Sequence, residues 1–371
     1  MASHPQPPLT PEPQAQGVHP LSAPYETAQI LRRRLRAAVK GRDEVIDLII
    51  TALFADGHVL LEDYPGSGKT TLAKALGESV TDAEGQHIAP FRRVQFTPDL
   101  LPSDVSGVSI FDVSTSRFEF RPGPIFAHVL LADEINRTSP KVQSAMLEAM
   151  AEKQVTVDNH TYPLDAFFFV IATQNPRDLA GTYPLPVAQL DRFLFKINMD
   201  YIAREAEIDV LSTRKVRRTA PAEKLVTRDE VVAAREAMED HVHVDPRVHT
   251  CLVDAARNLR AHKKVLQGLS TRSLVLMIPA LQAVALLNGR DYVSSQDIEY
   301  LAPFVFSHRL VVAPGAGDTK TVVLECLKGP LEILTRSTMA NVTRDPQTPP
   351  ALPPQLPPQM PQPTAGNGQA W

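Results

Sequence analysis

The segment HVLLEDYPGSGKTTLAKAL, residues 58–76, constrains the fold of this chain more than any other feature. An apolar strand pattern runs into a glycine-rich turn that ends in Gly68, Lys69 and Thr70, and a helical pattern follows at once. Backbone N–H groups of such a turn, at the start of a helix, hold phosphate oxygens, while the lysine adds positive charge and the hydroxyl reaches Mg²⁺. The segment therefore predicts a strand, loop and helix that bind phosphate groups.

The loop departs from the strict form of this motif, because Asp63 stands where the first glycine belongs. A glycine-rich turn without phosphate chemistry is the alternative interpretation. The strand before the loop and the uninterrupted helical pattern after it favour the phosphate site. The predicted nucleotide-binding residues here are Asp63, Tyr64, Pro65, Gly66, Ser67, Gly68, Lys69, Thr70 and Thr71.

Short apolar runs alternate with helical patterns over the first half of the chain. The runs predicted to be strands are 58–62, 91–96, 128–132, 167–173 and 193–197. Continuous apolar runs of this length, separated by helices, are typical of a parallel sheet covered on both faces. Two segments with alternating polarity, 108–120 and 154–163, predict hairpins inserted beside the main sheet. The fold class is therefore α/β.

From about Tyr201 onward the strand runs stop and helical patterns follow, which predicts a smaller, all-helical second domain. The helical patterns are 227–242, 245–262, 271–288 and 294–304. Ser294 with Asp297 three residues later predicts a capping box at the start of one of these helices. The predicted boundaries are 25–200 for the α/β domain and 201–340 for the helical domain.

Both ends of the chain are rich in proline, with seven of the thirty-three prolines in residues 1–24 and nine in 346–371. Segments that lack apolar periodicity cannot build a core, so 1–24 and 341–371 are predicted to be disordered. The stretch PPALPPQLPPQMPQP, residues 349–363, admits two interpretations: a ligand for an aromatic groove of a partner, or a solubilising tail.

Composition disfavours several classes of function. The formal net charge of −4 gives no basic excess for nucleic acid. The densest basic run, residues 31–42, has Leu31 and Leu35 at positions i and i+4, which favours a solvated helix face over a nucleic-acid site. The two cysteines have no metal-ligand spacing, and no targeting segment or eighteen-residue apolar run occurs. We therefore expect a cytoplasmic protein with no membrane insertion and no nucleic-acid partner.

A second chemical segment is HVLLADEINR, residues 128–137, in which a buried strand delivers Asp133 and Glu134 at its carboxyl end. One carboxylate can hold Mg²⁺ against nucleotide phosphates, while its neighbour, which points elsewhere, can activate water. An acidic pair after a strand is by itself more often a solvated strand end. The pair lies sixty-four residues after Lys69, with an intervening strand between them, and this position favours the catalytic interpretation.

At this point the chain resembles the MoxR family of AAA+ ATPases, from about Val39 to about Leu301. The matching segments are GHVLLEDYPGSGKTTLAKAL (57–76), RVQFTPDLLPSDVSG (93–107), FEFRPGPIFAHVLLADEINRTSPKVQSAMLEAMAE (118–152), IATQNP (171–176), GTYPLPVAQLDRFLF (181–195), GLSTRSL (268–274) and GRDYVSSQDI (289–298). The resemblance implies a P-loop NTPase αβα sandwich, the AAA+ core, followed by an all-α lid. Asp63 is compatible with this family.

The resemblance also implies roles for single residues. Asn175 matches sensor 1, whose amide can bond the attacking water or the γ-phosphate; a strand-end cap is the alternative. Arg192 matches the arginine finger that reaches the nucleotide of a neighbouring subunit; a structural salt bridge with Asp191 or another acid is the alternative. Another nearby arginine, such as Arg137, is a second candidate for the finger.

Arg272, at the start of a helix of the lid, matches sensor 2, with a solvated helix-start arginine as the alternative. Gly41 matches the turn beside the adenine. In this scheme Thr70 and Asp133 hold Mg²⁺, and Glu134 is the catalytic base.

The resemblance implies a Mg²⁺-dependent ATPase, with ATP and Mg²⁺ as cofactors, that assembles into a homo-oligomeric ring, a hexamer. Its expected work is chaperone-like remodelling or maturation of a client protein, such as metal-cofactor insertion, together with a von Willebrand factor A domain partner. A nucleotide-gated scaffold that recruits partners through its proline-rich tail is the first alternative, and an AAA+ nucleic-acid motor is the second.

Overall fold

The computed structural model describes residues 19–63, 66–82, 88–175, 181–212 and 224–342, with the side chains of Asp63 and of 338–342 excluded. The α-helices are α1 Ser22–Ala38, α2 Asp43–Phe54, α3 Lys69–Gly77, α4 Pro102–Ser106, α5 Pro140–Glu152, α6 Val187–Leu190, α7 Arg204–Ser212, α8 Arg228–His241, α9 Pro246–Ala261, α10 Thr271–Leu287, α11 Ser295–Phe306 and α12 Thr319–Val342. The strands are β1 Val59–Asp63, β2 Val80–Thr81, β3 Ala89–Gln95, β4 Gly107–Asp112, β5 Arg117–Pro122, β6 Ala127–Asp133, β7 Gln154–Val157, β8 His160–Pro163, β9 Phe169–Gln174, β10 Phe195–Met199, β11 Val226–Thr227, β12 Val265–Gln267 and β13 Val311–Val312.

The central sheet has five parallel strands in the order β10–β1–β9–β6–β3. All five predicted strand runs are confirmed, each with bounds within two residues of the observed strand. In register, Val59 pairs with both Phe195 and Ile171, and Gln95 pairs with Asp133. Parallel pairing brings the carboxyl ends of these strands to one edge, where the polar residues that follow them meet.

Both faces of the sheet are covered, which explains why its strands are continuously apolar. Every residue of β6 is buried. Val129 and Leu131 belong to a core shared with α1, α2 and α3, whereas Leu130 and Ala132 belong to a second core shared with α5. Because successive strand side chains point to opposite faces, burial on both faces requires apolar residues at every position. This is the predicted αβα sandwich.

Two antiparallel hairpins stand outside the main sheet, as the alternating segments predict. One pairs β4 with β5, and the other pairs β7 with β8. The two-residue turn of the second is Asp158–Asn159, with φ of 49° and 61°. Asparagine and aspartate tolerate this left-handed backbone better than other side chains do, and it matches the twist of a tight hairpin.

The residues after 224 form a mainly helical lid that packs on the first two helices. Helix α8 contacts α1 and α2, and α10 contacts the same pair. The predicted capping box is confirmed, because Ser294 N donates to Asp297 Oδ2 at 2.8 Å and Asp297 N donates to Ser294 Oγ at 3.4 Å. The long helix α12 was not predicted. The lid also contains the antiparallel pair β12–β13, and β11 pairs with β2 of the core, neither of which an all-helical domain includes.

The first helix begins inside the predicted N-terminal tail. Helix α1 starts at Ser22, whereas the tail was predicted to extend to residue 24. Leu31 and Leu35 are fully buried, which confirms the helix-face interpretation of the basic run. Its arginines form ion pairs, such as Arg32 with Asp47 at 2.7 Å. The predicted disordered segments 1–18 and 343–371 lie outside the described residues.

Two arginines of α8 fasten the lid to the core at the edge of the sheet opposite the carboxyl ends. Arg228 Nε lies 2.8 Å from Asp165 Oδ1. Arg235 forms an ion pair with Asp56 at 2.7 Å and donates to the carbonyls of Leu53 and Ala166, each at 2.9 Å. These bonds hold α8 against the core.

Cys251 and Cys326 are both free and buried, as predicted from their positions in helical patterns. Over the described residues, none of the helices combines the length and the apolar character that crossing a bilayer requires.

The buried imidazole of His58 predicts acid sensitivity of the fold. Its Nε2–H donates to Met150 O at 3.1 Å and its Nδ1 accepts from Val170 N at 3.2 Å, so the neutral ring satisfies both nitrogens. Burial lowers the pKa of His58 to about 4, because the charged ring would lose its hydration. The unfolded chain takes up this proton near pH 6.5, so the free energy of unfolding should fall by about 3 kcal/mol between roughly pH 6.5 and 4.

The measurement is chemical denaturation across that pH range, on wild type, His58→Gln and His160→Gln. We expect His58→Gln to be less stable at neutral pH and to lose the part of the pH dependence that His58 contributes. His160 is exposed in the β7–β8 hairpin, so His160→Gln should retain the wild-type slope. An unchanged slope in His58→Gln contradicts the assignment.

Candidate active site

The glycine-rich loop connects the carboxyl end of β1 to the first residue of α3. Gly66 and Gly68 have φ of 91° and 94°, in the left-handed region that a side chain disfavours. Gly68 is the N-cap residue of α3, which begins at Lys69. The loop therefore presents backbone N–H groups at a helix N-terminus, as the sequence predicts. The predicted site residues Tyr64 and Pro65, and the side chain of Asp63, lie outside the described residues.

A cavity of about 560 Å³ lies between the loop, the end of α1, the segment 199–202 and the second half of α7. Its lining includes Ser67, Gly68 and Thr71 of the loop and α3, together with apolar side chains such as Val39 and Ile202. A flat apolar slot beside a phosphate-binding loop has the size and character that a nucleoside requires.

Gly41 is not part of the cavity lining over the described residues, although both of its neighbours in the chain are. It has φ of 69°, and a Cβ built on it would lie 2.6 Å from Ala206 Cβ and 3.3 Å from Ile202 Cβ. Gly41 therefore packs closely against α7, which forms part of the cavity wall, and its place beside the adenine stays a prediction.

A second cavity of about 280 Å³ adjoins the first and shares Gly66 with it. It brings together four separate segments of the chain and includes two of the four predicted catalytic residues, Glu134 and Asn175, and both predicted metal ligands, Thr70 and Asp133. Its lining residues are Gly66, Lys69, Thr70, Arg93, Gln95, Asp133, Glu134 and Asn175.

Asp133 is the most buried of these acids, with 2% of its surface exposed. Its carboxylate accepts from Thr173 Oγ1 at 2.7 Å and lies 3.2 Å from Lys69 Nζ and 2.6 Å from Arg93 Nη2. Burial opposes ionisation, but the bonds from Thr173 and Arg93 and the charge of Lys69 outweigh it, and the pKa of Asp133 stays below its ordinary value. Asp133 is therefore an anion at neutral pH.

Glu134 points in a different direction, because its backbone turns sharply after β6. Its φ is 60°, a left-handed conformation that costs about 1–3 kcal/mol for a residue with a side chain. Its N–H donates to Thr173 Oγ1 at 2.9 Å, which fixes the turn. The carboxylate accepts from Gln95 Nε2 at 2.9 Å and pairs with Arg137 Nε at 3.1 Å.

Three residues at this site were not predicted: Arg93, Gln95 and Thr173. A signal for two of them was present, since the run RVQF places Arg93 and Gln95 on the same side of β3, and β3 pairs with β6. Polar residues two positions apart lie on the same face of a strand, so Arg93 and Gln95 indicate a polar face on β3. No comparable pattern marks Thr173, whose partners are 39 and 40 residues away in sequence.

The donor set at the smaller cavity fits Mg²⁺ held jointly with a nucleotide. Thr70 and Asp133 supply one hydroxyl and one carboxylate. Among the described residues no group of three or more His, Cys, Asp and Glu side chains could hold a metal by itself. Mg²⁺ commonly uses one or two carboxylates and completes its shell with water and substrate phosphates.

The two predicted arginines Arg192 and Arg272 belong to a different surface. Neither lines the two cavities of the described chain. Arg192 is half-buried between α6 and β10, where its Nη1 donates to Leu147 O at 2.9 Å. Arg272 is exposed in the first turn of α10. Asp191 pairs with Arg309 at 2.7 Å, so it is not the partner that the salt-bridge alternative assigned to Arg192.

Comparison with known proteins gives the family. The model of the "ATPase family associated with various cellular activities (AAA)" matches residues 58–195, and that of the "AAA lid domain" matches 257–325. The chain is 36% identical to Chaperone MoxR1 of Mycobacterium tuberculosis over 310 residues, which cover 80% of this chain and 78% of the relative. The chain belongs to the MoxR family of AAA+ ATPases.

Further relatives agree with this membership. The uncharacterized protein YeaC of Bacillus subtilis is 48% identical over 279 residues, or 74% of this MoxR-family chain and 84% of YeaC. A crystal structure of a putative ATPase from Cytophaga hutchinsonii superposes with a TM-score of 0.73 at 32% identity, over 83% of this chain and 96% of that one. The predicted fold, an AAA+ core followed by a helical lid, is thereby confirmed.

The packing of Gly41 predicts a selective effect on nucleotide binding. In Gly41→Ala the new methyl group would overlap Ala206 and displace α7. The displacement should lower the free energy of unfolding by about 1–3 kcal/mol and move the wall of the cavity. We expect the affinity for ATP, measured by titration with a fluorescent analogue, to fall about tenfold or more.

Gly289→Ala is the matched control. Gly289 has a similar φ of 68°, but a Cβ there would meet Tyr25 Cε2 at an ordinary 3.6 Å, far along the chain from the cavity lining. Both variants should lose stability, while only Gly41→Ala should bind ATP more weakly. Equal affinities in the two variants contradict the role given to Gly41.

Proposed function

We propose that this MoxR-family protein binds ATP with Mg²⁺ across the two adjoining cavities and hydrolyses it within a homo-oligomeric ring, a hexamer. The observation that carries the proposal is the smaller cavity, which gathers Lys69, Thr70, Asp133, Glu134 and Asn175 beside a nucleoside-sized space. Adenosine occupies the larger cavity, and the phosphates extend past the shared Gly66 along the start of α3.

The residues of the smaller cavity divide the chemistry among them. Lys69 and the N–H groups at the start of α3 bind the phosphates, and Lys69 exchanges part of its ion pair with Asp133 for them. Thr70 and Asp133 hold Mg²⁺, which neutralises charge on the β- and γ-phosphates when it is bound.

Glu134 is the general base that accepts a proton from the attacking water, and Asn175 orients that water by an uncharged hydrogen bond. The carboxylate of Glu134 is held by Gln95 and Arg137 in this structure. Both bonds go to Oε2, which leaves Oε1 to accept from the water, so Gln95 and Arg137 orient the base.

The position of the remaining arginines supports the proposed ring. Arg192 and Arg272 lie away from the cavities of their own chain. A finger that stabilises the transition state must reach the γ-phosphate, so a neighbouring subunit supplies it. Such a residue contributes about 10³–10⁵ in rate. Arg137 is engaged by Glu134 of its own chain, which favours Arg192 as the finger.

The work of the ring is chaperone-like remodelling or maturation of a client protein in the cytoplasm, with metal-cofactor insertion as one form of it and a von Willebrand factor A domain protein as a partner. Two observations support this class: the relative named Chaperone MoxR1 and the MoxR motifs in the sequence. Ion pairing of the basic run in α1, together with the net charge of −4, disfavours a nucleic-acid motor.

Substitutions at Lys69 and Glu134 should separate ATP binding from ATP hydrolysis. Lys69→Ala should abolish ATP binding, because the phosphates lose their only predicted side-chain cation from α3. Glu134→Gln should retain binding and lower turnover by about 10²–10⁴-fold, since the amide cannot accept the proton. The measurements are ATP titration and steady-state phosphate release.

Lys74→Ala is the control for Lys69→Ala, because Lys74 lies on the same helix but is exposed and pairs with Glu78 at 3.5 Å. It should bind and hydrolyse ATP normally. Turnover at the wild-type rate in Glu134→Gln would show that Glu134 is not the base.

Substitution of Arg192 should test whether the finger acts on the site of a neighbouring subunit. Arg192→Ala should bind ATP normally but hydrolyse it about 10³–10⁵-fold more slowly in assembled rings. Mixing it with Glu134→Gln should restore part of the activity, because one subunit supplies the base and the other supplies the finger. Mixing it with the double variant Arg192→Ala/Glu134→Gln supplies no finger and should restore nothing. If neither mixture recovers activity, a residue other than Arg192 is the finger.

A further inference from the structure

The turn that carries Arg192, residues 191–194 and hereafter the finger turn, is held by a single arginine of the lid. Arg309 lies in a 3-10 helix, Ser307–Arg309. Its Nε donates to Asp191 Oδ1 at 2.7 Å, and its Nη2 donates to the carbonyls of Phe193 at 2.7 Å and Asp191 at 3.3 Å. Its Nη1 donates to Leu194 O at 3.2 Å. One guanidinium therefore bonds three of the four residues of the finger turn.

The remaining contacts of the finger turn come from both domains. His308, next to Arg309, places its Nε2 3.0 Å from Phe193 O. On the core side, Leu194 N donates to His58 O at 2.8 Å. The start of α10 also reaches the turn, since Ser273 Oγ lies 3.5 Å from Asp191 Oδ1. Within the core, the N–H groups of Asp191, Arg192 and Phe193 also donate to the carbonyls of Val187, Gln189 and Leu190. The core therefore holds the N–H groups of the turn, and the lid holds three of its carbonyls and its carboxylate.

Arg309 is suited to this position by its geometry. It is 3% exposed, and its planar fork satisfies carbonyls that would otherwise be buried without donors. Burial lowers the pKa of Arg309, pairing with Asp191 opposes this, and the nearby charge of Arg272 lowers it further. Asp191 thus compensates the charge of the buried guanidinium, and the charges of Arg272 and Arg309 are close enough to interact.

Arg192 lies between residues that Arg309 holds. Its own side chain is half-buried and makes one hydrogen bond to the core, from Nη1 to Leu147 O at 2.9 Å. The position from which this side chain projects is set by the backbone of the finger turn. A displacement of about 1 Å in a group that acts at a reacting centre can lower a rate by about 10²-fold.

We propose that Arg309, paired with Asp191, is a positioning residue that fixes the finger turn to the lid, so that the lid of one subunit aims Arg192 at the nucleotide of its neighbour. This inference rests on the proposed role of Arg192 as the finger. It assigns to the lid an effect on the neighbouring site, in addition to its packing beside its own cavity.

A purely structural role for Arg309 would give a different outcome. If Arg309 only stabilised the fold, its substitution would lower stability, nucleotide binding or assembly, and mixing with a second variant would not repair hydrolysis. If Arg309 aims the finger, its substitution impairs hydrolysis at the interface between two subunits. Mixing with a subunit that has an intact finger should then restore hydrolysis.

The test uses the full chain with Arg309→Lys, which keeps the charge but loses the fork. We expect ATP binding and ring assembly close to wild type, and a turnover about 10²-fold lower. Mixed in equal amounts with Glu134→Gln, the two inactive proteins should recover hydrolysis, because about one heterologous interface in four combines an intact base with an intact finger. Asp191→Asn, which keeps an oxygen acceptor but removes the charge, should behave in the same way.

Arg290→Lys is the matched control. Arg290 forms a similar fork in the lid, with Nη2 2.6 Å and Nη1 2.9 Å from the two oxygens of Asp297, at a distance from the finger turn in sequence and contacts. It should change stability without changing turnover. Loss of ATP binding or assembly in both Arg309→Lys and Asp191→Asn overturns the proposal, because the pair would then serve the fold.

Arg192→Ala in the same mixing assay separates the two claims. Recovery with Arg192→Ala but not with Arg309→Lys overturns the inference and leaves the finger assignment intact. Absence of recovery with Arg192→Ala overturns both. Wild-type turnover in Arg309→Lys likewise shows that the lid does not position the finger.

Discussion

The structure depends on a carboxylate placed at the end of a completely buried strand. Asp133 follows six apolar or buried residues of β6, and an unpaired charge there would destabilise the fold. Thr173, Lys69 and Arg93 provide its partners from three other segments. The same partners bring the glycine-rich loop, the end of β9 and the edge strand β3 to one place. The requirement to neutralise Asp133 therefore assembles the site in which ATP chemistry is proposed.

The lid shares a hydrophobic core with the α/β domain, but its proposed action is on the site of a neighbouring subunit. Helices α8 and α10 pack on α1 and α2 within one continuous hydrophobic core, and Arg228 and Arg235 fasten α8 to the edge of the sheet. At the other end of the lid, Arg309 holds the finger turn. The lid therefore contacts the core at two places, through α8 and through Arg309.

The fold could be predicted from the sequence where a single local pattern decides it. Buried strands produce apolar runs, the glycine-rich loop produces its motif, and the Ser294 capping box has a fixed spacing. Features that depend on pairing across the chain could not be predicted. Thr173 is recognisable as a site residue only when β6 and β9 are adjacent, and Arg309 contacts a partner 118 residues away. Helix α12 was missed because Gly329 and Pro330 interrupt its pattern, and β12–β13 are too short to show alternation. The family resemblance supplied Arg192 and Arg272, whose contribution no pattern within one chain can reveal.

The central claim is that the site is shared between subunits, with the base from one chain and the finger from the next. The most direct test measures ATP hydrolysis per subunit as a function of protein concentration, with the assembly state followed by sedimentation at the same concentrations. If the site is shared, the rate per subunit should fall as the ring dissociates, while the affinity of each subunit for ATP stays constant. A rate per subunit that is unchanged in the monomer would contradict it.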